Sequence, residues 1–379
     1  MMSNINNRIL SLSFMSLVAF GIYPKLYAQS EHYSPEFFEF INFPKDYFYH
    51  NENHILVTVI DSVVQPLPNI ELINTFNHTE LKTHKKDLDD PNYIHGTAMA
   101  SIIGAKLDSY EGKPFVGIFP GIPIINRAVI PRYNHETSFL NAIQAADLKG
   151  DEFILNISAA DIGTKNATEW NELLKEIGKK DKILVIAAVG NDARNLNNIS
   201  PSKQFWPAAY KPRKKEFIDS DPVIRVAALS FKTGKPRIYE SAMGTGSRFG
   251  KGRVDIGAPG YNIPYLTPSS ELKVGNGTSE ATAIVSSIIA VMRSCSANNS
   301  AKYFKDLILE TADQYEHLKD KITEGRVLNA GKAIEKACHR VRHRKMKELI
   351  ESKRNLMTSD ETQPAIPHNE FKRKVNWQK

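Results

Sequence analysis

The stretch that most constrains the fold is Gly275–Met292 (GNGTSEATAIVSSIIAVM), in which glycines lead directly into a long apolar pattern. Apolar residues recur at helical spacing after Ser279, which predicts a helix that packs into the core. A serine at the start of a helix lies beside free N–H groups and the positive end of the helix dipole, and both favour nearby negative charge. The pattern leaves two alternatives for Ser279, a nucleophile or a plain helix N-cap.

Strand and helix patterns alternate along the chain before this stretch. Continuous apolar runs typical of buried strands cover residues 54–60, 122–130, 153–158, 183–189 and 223–229, and helix patterns cover residues 137–146 and 169–177. The segment GAPG at 257–260 predicts a turn, and two closing helices are predicted at 301–311 and 330–338. This alternation predicts an α/β fold with a mostly parallel sheet and helices on both faces.

The formal charge of +7 belongs to the ends of the chain and not to its body. Val341–Lys379 has ten Lys or Arg residues and five Asp or Glu residues, and residues 1–28 add two positive charges, so residues 29–340 are neutral overall. We therefore expect no nucleic-acid partner for the body. An alternative is a protein that associates with membranes or nucleic acid through the basic tail. This alternative explains only the tail, which is about a tenth of the sequence.

The N-terminus has the pattern of a signal peptide. Arg8 precedes an apolar run over residues 9–22, and small and polar residues follow up to Ala28. The run is too short for an ordinary membrane span. We predict a signal peptide at residues 1–28, export to the periplasm or the medium, and no stable membrane insertion after cleavage.

The chain has two cysteines, Cys295 and Cys338. An exported protein permits a disulfide between them, and two buried free thiols are equally compatible with the sequence.

After the signal peptide, the chain is predicted to contain a short aromatic-rich segment at 29–53, a main domain at 54–340, and a basic helical or disordered tail at 341–379.

Four polar residues lie where the predicted strands and helices meet. Asp61 ends the first strand, His95 is predicted at a helix start, Asn191 follows the strand at 183–189, and Ser279 opens the long helix. A serine nucleophile needs a base, the base needs a carboxylate that orients it, and the oxyanion needs a donor such as an amide. Taken singly, Asp61 is more typical of a capping or turn residue, and His95 is more typical of a structural histidine.

The sequences around these residues are VTVIDS, HGTAMASIIGA, VIAAVGND and GNGTSEATAIVSS, and LNIS, WPAAY, VDIGAPG and GRVLNA lie between and after them. Together they resemble the subtilisin-like serine proteases, the subtilases, in family order from about residue 54 to residue 338. The order Asp, His, Ser is that of subtilisin. The resemblance implies a three-layer α/β/α fold with about seven strands in the central sheet.

The resemblance also implies a function, that of an exported serine endopeptidase acting on proteins or peptides through an acyl-enzyme. Asp61 would orient His95, His95 would be the general base and then the acid, Ser279 would attack, and Asn191 would hold the oxyanion. Implied substrate-binding residues are Ser158, Ala159, Ala160, Ala188, Gly190 and Phe205, with residues 130–134 as a second strand-pairing segment. The oligomeric state is left open.

Several residues depart from the family pattern, among them Val63, Ala98 and three residues near the nucleophile and the substrate segment. Glu280 follows the nucleophile position, where a carboxylate opposes an oxyanion unless it points away or is paired. Ala160 and Asp161 replace glycines and are expected to crowd an extended peptide. These departures keep a second hypothesis, a catalytically silent peptide-binding or scaffolding module. The presence of all four catalytic-type residues favours an enzyme.

No cofactor is certain from the sequence. Calcium sites are common in the family, and Asp108 and Glu111 are the candidate ligands in this chain. Carboxylate oxygens are the ligands that Ca²⁺ prefers.

Overall fold

The structure is a computed structural model that describes residues 35–44, 54–73, 91–110, 112–129, 139–149, 152–212 and 220–339. The chain divides into two units, Met1–Ala337 and Cys338–Lys379, and all but two of the described residues belong to the first. The predicted signal peptide, the substrate segment at 130–134 and the basic tail at 341–379 lie outside the described residues.

The described residues form sixteen strands and six α-helices with both ends assigned, which are numbered here in chain order. The strands are β1 (Val57–Asp61), β2 (Leu72–Ile73), β3 (Asp108–Tyr110), β4 (Lys113–Phe115), β5 (Ile124–Ala128), β6 (Ile154–Ile157), β7 (Asp161–Ile162), β8 (Leu184–Ala188), β9 (Phe205–Trp206), β10 (Val223–Ser230), β11 (Arg237–Ile238), β12 (Ile256–Pro259), β13 (Ile263–Leu266), β14 (Leu272–Gly275), β15 (Asp313–Gln314) and β16 (Arg326–Val327). The helices are α1 (Pro35–Phe40), α2 (Pro91–Gly104), α3 (Phe139–Lys149), α4 (Ala167–Lys180), α5 (Thr278–Cys295) and α6 (Ala301–Glu310). A further helix begins at residue 330.

Ten of these strands form one central sheet in the order β15-β16-β12-β10-β8-β6-β1-β5-β2, with β11 paired to β10. The eight strands from β16 to β2 are parallel, and β15 and β11 are antiparallel to their neighbours. The predicted mostly parallel α/β fold is confirmed. The sheet has more strands than the expected seven because two-residue strands, too short to give an apolar run, extend it.

The turn predicted at 257–260 is wrong, because Ile256–Pro259 is strand β12 and pairs in parallel with β10. Its glycine is required by packing. A Cβ atom on Gly257 would lie 2.6 Å from a methyl group of Leu229 and 2.8 Å from one of Ile322. Gly257 allows close packing within the strand, and Pro259 is the last residue of the strand. Both residue types are also common in turns, so the sequence pattern resembled a turn.

Helix α5 is the central helix of the fold. It is buried from Thr278 to Met292 and contacts β6, β8, β10, β12 and helix α2. Ser286 donates a 2.9 Å hydrogen bond to Asn156 of β6, which fixes the helix against the sheet. The buried helix predicted from the sequence is confirmed. Gly277, not Ser279, is the N-cap residue, so the N-cap interpretation of Ser279 is wrong.

Both cysteines, Cys295 and Cys338, are disulfide-bonded, so the alternative of two free thiols is wrong.

Among the described helices, none combines the length and the apolar character that a bilayer span requires.

A buried ion-pair network around Arg225 of β10 joins this strand to the residues that precede β10 and β12. Its Nη1 donates to Asp221 and to Asp255, each at 2.9 Å, and its other nitrogens donate to backbone carbonyls that include those of Ala208 and Tyr210. Burial by itself disfavours the guanidinium charge, but the two aspartates more than offset this, and the pKa of Arg225 is raised.

Replacing Arg225 with methionine is expected to lower the free energy of unfolding by about 3–5 kcal/mol, because Asp221 and Asp255 then stay buried without this partner. Urea denaturation of wild type and variant measures the difference. The matched control is Lys179→Met, which removes an exposed pair with Glu176 and should leave the unfolding midpoint unchanged. Equal midpoints for wild type and Arg225→Met would show that the network does not stabilise the fold.

Candidate active site

A short hydrogen bond joins Asp61 at the end of β1 to His95 of helix α2. Asp61 Oδ1 lies 2.7 Å from His95 Nδ1 and also accepts the backbone N–H of Ser62 at 2.7 Å. Asp61 is 2 % exposed and the His95 side chain 34 % exposed. Because a carboxylate accepts, Nδ1 is the protonated ring nitrogen, and Nε2 points away from Asp61.

Gly96 allows helix α2 to approach the end of β1 this closely. A Cβ atom at Gly96 would lie 2.2 Å from the carbonyl oxygen of Ser62, and the Gly96 N–H donates to the Ser62 hydroxyl at 2.9 Å. His95 was predicted at a helix start, but the helix begins one turn earlier, at Pro91. The glycine after His95 is thus explained by a close approach between backbones.

The pKa of His95 is raised to about 9. Burial acts to lower it, and the charge of Asp61, the hydrogen bond from Asp61 and the charge of Glu280 together more than reverse that effect. The imidazolium form is therefore favoured over the neutral form at pH 7 in the resting site.

Ser279 lies in the first turn of α5 and is 6 % exposed. Its hydroxyl donates to the carbonyl of Ser158 at 2.9 Å, and the Ser158 hydroxyl donates to the carbonyl of Ser279 at 3.1 Å. A hydroxyl has one hydrogen, so in this state Ser279 does not donate to His95. The hydroxyl hydrogen must turn away from the Ser158 carbonyl before such a donation.

The side chain of Asn191 is oriented by Thr278, a residue that the sequence analysis did not single out. Asn191 Oδ1 accepts from the backbone N–H of Thr278 at 2.8 Å and from its hydroxyl at 3.0 Å. The amide nitrogen is left as the donor, and it borders Gly277, where a Cβ atom would lie 3.0 Å from Nδ2. The amide is therefore fixed with its N–H group facing the start of α5.

The predicted pocket residues Gly190 and Phe205 contact each other closely. A Cβ atom at Gly190, whose φ is +105°, would lie 2.6 Å from the Phe205 ring. The guanidinium of Arg248 stacks on the ring at 3.7 Å from its centre, is 1 % exposed, and binds Asp192 through two hydrogen bonds of 2.6 and 2.8 Å. Arg248 lies outside every quoted motif, so no local signal pointed to it.

The remaining predicted substrate residues lie where β6 and β8 end. Ser158 is buried, Ala159 and Ala160 are half-buried, and Ala188 is buried as the last residue of β8. The Asp161 carboxylate accepts 3.0 Å hydrogen bonds from Asn166 and Trp170. The Asp161 carboxylate is thus hydrogen-bonded to helix α4 and to the N-cap residue of that helix, and it does not remain unpaired next to Ala160.

Glu280 is 8 % exposed, and its carboxylate occupies the space next to two glycines. Its Oε1 lies 2.1 Å from the position that a Cβ atom of Gly275 would take, and its Oε2 lies 3.2 Å from that of Gly277. Burial raises the pKa of Glu280, and the charge of His95 acts in the opposite direction. Burial therefore disfavours the charged form of the Glu280 carboxylate.

Within the described residues, no group of three or more His, Cys, Asp or Glu side chains is arranged to hold a metal ion. The Asp108 carboxylate accepts the backbone N–H of Ser109 at 2.7 Å, and Glu111 lies outside the described residues. The calcium site stays a prediction.

The chain is similar to known proteins over most of its length. The model of the subtilase family matches residues 52–332. One subunit of the subtilase cytotoxin of Escherichia coli is 43 % identical over 268 residues, which cover 68 % of this chain and 75 % of that protein. The minor extracellular protease Epr of Bacillus subtilis is 26 % identical over 63 % of this chain and 32 % of its own length.

Solved structures give the same result. One chain of the subtilase cytotoxin SubAB has a TM-score of 0.68 and 35 % identity, covering 81 % of this chain and 97 % of that chain. The prenylagaramide maturation protease PagA, at 23 % identity and a TM-score of 0.54, shares the fold over 74 % of this chain and 93 % of its own. The match over residues 52–332 and the 43 % identity to the cytotoxin protein show that this chain belongs to the subtilase family.

Proposed function

We propose that this chain is a serine endopeptidase that hydrolyses peptide bonds through an acyl-enzyme. The observation that carries the proposal is the 2.7 Å hydrogen bond between Asp61 and His95 Nδ1. In the neutral form of the imidazole, this bond leaves Nε2 as the acceptor for the Ser279 proton. A buried carboxylate, an oriented imidazole and a serine hydroxyl are the groups that acyl transfer requires.

In the proposed reaction, Ser279 Oγ attacks the peptide carbonyl carbon and gives its proton to His95 Nε2. The imidazolium then donates that proton to the leaving amine as the C–N bond breaks. In the second half, His95 takes a proton from water as the water oxygen attacks the acyl carbon. The bond between the acyl carbon and Ser279 Oγ then breaks, and the imidazolium returns its proton to Ser279 Oγ. Asp61 stays ionised and stabilises the imidazolium in both halves.

The oxyanion that forms during attack would be held by Asn191 Nδ2 and the backbone N–H of Ser279. The two bonds that Thr278 donates to Asn191 Oδ1 support this role, because they leave only the amide hydrogens to face the reacting group. One side-chain donor of this kind contributes on the order of 3 kcal/mol.

The substrate is proposed to be an extended peptide that lies along Ser158, Ala159 and Ala160. The Ser279 hydroxyl points at the Ser158 carbonyl in the resting state. Productive binding therefore requires the Ser279 hydroxyl to turn towards His95. It also requires the imidazolium to lose its Nε2 proton, so that Nε2 can accept the proton of the hydroxyl. Since the pKa of His95 is about 9, the rate is expected to rise with pH up to that range.

Relatives suggest where the chain acts and with what. One relative is a cytotoxin protein whose solved structure concerns SubAB assembly, and another is an extracellular protease. We infer that this chain is exported through the signal peptide predicted at residues 1–28 and works as the proteolytic component of an assembly.

The proposal is tested by labelling the purified full chain with a fluorophosphonate probe and locating the adduct by mass spectrometry. Labelling is expected on Ser279, because the probe reacts with an activated serine. The matched control is Ser287→Ala, two turns further along α5, where the hydroxyl donates to the Ala283 carbonyl. This variant should label like wild type.

Failure of the folded protein to label would sink the peptidase proposal and favour a peptide-binding module. Labelling spread over several serines would also contradict it, because the proposed mechanism activates Ser279 alone.

Substitution of Phe205 by alanine is expected to increase the preference for a large residue before the scissile bond. Removing the ring opens the space between Gly190 and Arg248, so kcat/KM for a peptide with phenylalanine at this position should rise about tenfold relative to one with alanine. Ile162→Ala on the paired strand β7 serves as the control, since its side chain is exposed. An unchanged ratio in Phe205→Ala would place the pocket elsewhere.

A further inference from the structure

Arg248 is a buried cation beside the candidate active site, and the proposed mechanism does not use it. It is 1 % exposed and lies two residues after Gly246, which forms a β-bridge with Asp192. Burying a charge is unfavourable unless the surrounding groups pair with it and complete its hydrogen bonds. The partners of this guanidinium therefore indicate what it contributes to the site.

One set of partners lies on both sides of Asn191, the proposed oxyanion donor. The backbone N–H of Arg248 donates to the carbonyl of Gly190 at 2.8 Å, and its side chain donates twice to the Asp192 carboxylate, at 2.6 and 2.8 Å. The backbone N–H of Gly246 donates to the carbonyl of Asn191 itself at 3.1 Å. Arg248 and Gly246 thus hold three consecutive residues of the site.

The second set of partners belongs to the segment that ends at Phe205, a predicted pocket residue. Arg248 Nη1 donates to the carbonyl of Lys203 at 3.0 Å, and the guanidinium lies over the Phe205 ring at 3.7 Å from its centre. The ring also borders Gly190, where a Cβ atom would lie 2.6 Å from the ring and 3.0 Å from Arg248 Cδ. The ring therefore contacts both the guanidinium and the backbone at Gly190.

An arginine side chain can make these contacts at the same time because its guanidinium is planar. Its edge binds a carboxylate through two parallel hydrogen bonds while its face stacks on an aromatic ring. A lysine ammonium is a point charge without such a face. The pair with Asp192 orients the plane of the guanidinium, and that plane sets where the Phe205 ring packs.

We propose that Arg248 is a positioning residue that holds the Phe205 ring against Gly190 and thereby closes the pocket before the scissile bond to large side chains. The inference deepens the proposed peptidase function and rests on it, since that function places the pocket at Gly190 and Phe205. The favoured ligands are peptides with a small residue, such as alanine, at this position. Because Arg248 is buried, it acts through the ring and not by contact with the peptide.

A second arginine near Asp192 provides a matched control. Arg194 Nε lies 3.5 Å from the Asp192 carboxylate, and the Arg194 side chain is 43 % exposed. Arg194 thus shares the carboxylate with Arg248 but not the burial. Its replacement removes a positive charge from the same neighbourhood and leaves the stack of Arg248 on Phe205 in place.

The test is calorimetric binding of two peptides to the full chain carrying Ser279→Ala, which prevents cleavage during the measurement. The peptides differ only in their last residue, which is alanine in one and phenylalanine in the other and occupies the position before the scissile bond. Arg248→Lys and Arg248→Met in this background are each expected to raise the affinity for the phenylalanine peptide about tenfold relative to the alanine peptide. Arg194→Met should leave this ratio unchanged.

A double variant separates positioning from general destabilisation. Phe205→Ala removes the ring through which Arg248 acts, so adding Arg248→Met to it is expected to change the affinity ratio no further. A residue that only stabilised the fold would lower the melting temperature and leave the ratio as it is. Thermal melts establish which variants are folded, and Arg248→Lys keeps a positive charge beside Asp192 in case Arg248→Met does not fold.

An unchanged ratio in either folded Arg248 variant overturns the proposal. Changes that multiply in the double variant also overturn it, because Arg248 would then act independently of the ring, and so does the failure of both peptides to bind. Binding does not depend on turnover, so this test separates the two proposals. A changed ratio in a chain that fails to label with fluorophosphonate would retain the role of Arg248 in a peptide pocket and reject the peptidase, and labelling with an unchanged ratio would do the reverse.

Discussion

Replacing Ser279 or His95 with alanine is expected to lower kcat for peptide hydrolysis by about 10⁶-fold, and replacing both should lose no more than either single change. The two side chains act as one unit in the proposed mechanism, because the hydroxyl attacks only when the imidazole takes its proton. The measurement is kcat for a peptide substrate in wild type, the two single variants and the double variant.

The matched control for this set is His317→Ala, a histidine that hydrogen-bonds the Pro236 carbonyl at 2.8 Å and lies outside the site. Its kcat should equal that of wild type. Losses that multiply in the double variant would mean that Ser279 and His95 contribute independently, and the proposed proton transfer between them would then be wrong. Thermal melts of all variants establish that each is folded.

Asp61→Asn is expected to lower kcat by about 10⁴-fold while leaving KM within a few fold. The carboxamide keeps the shape of the side chain and can donate its N–H to His95 Nδ1. The proton of the neutral imidazole then moves to Nε2, which can no longer accept from Ser279. The same variant removes the charge that does most to raise the pKa of His95, so its titration midpoint should fall.

The control for this substitution is Asp161→Asn, which alters a carboxylate held by Asn166 and Trp170 and not by an imidazole. It is expected to retain most of the activity. A loss smaller than about tenfold in Asp61→Asn would show that the 2.7 Å hydrogen bond does not set the tautomer of His95 during the reaction.

Parts of this site were predictable because they rest on local patterns. The apolar run that ends at Asp61 is strand β1, and the run after Ser279 is the buried helix α5. Strands of a parallel sheet bring their carboxyl ends to one edge, so residues at the ends of β1, β6 and β8 were expected to meet there. The order of the motifs then indicated the subtilase fold, which the structure and the comparisons confirm.

Other parts were not predictable, since they depend on contacts between distant residues. Nothing near Arg248 in the sequence indicates that it stacks on Phe205 and binds Asp192. The turn predicted at 257–260 failed because glycine in a crowded strand and glycine in a turn look alike in sequence.

By itself, the sequence determined the order of strands and helices, the burial of α5 and the set of polar residues at the sheet edge, because apolar periodicity and motif spacing are local properties of the chain. Only the tertiary structure decided which of those polar groups meet and how they are charged. Desolvation and Coulomb interactions depend on distances across the fold. The bond of Thr278 to Asn191, the rest position of the Ser279 hydroxyl and the burial of Glu280 beside Gly275 and Gly277 are therefore properties of the folded molecule.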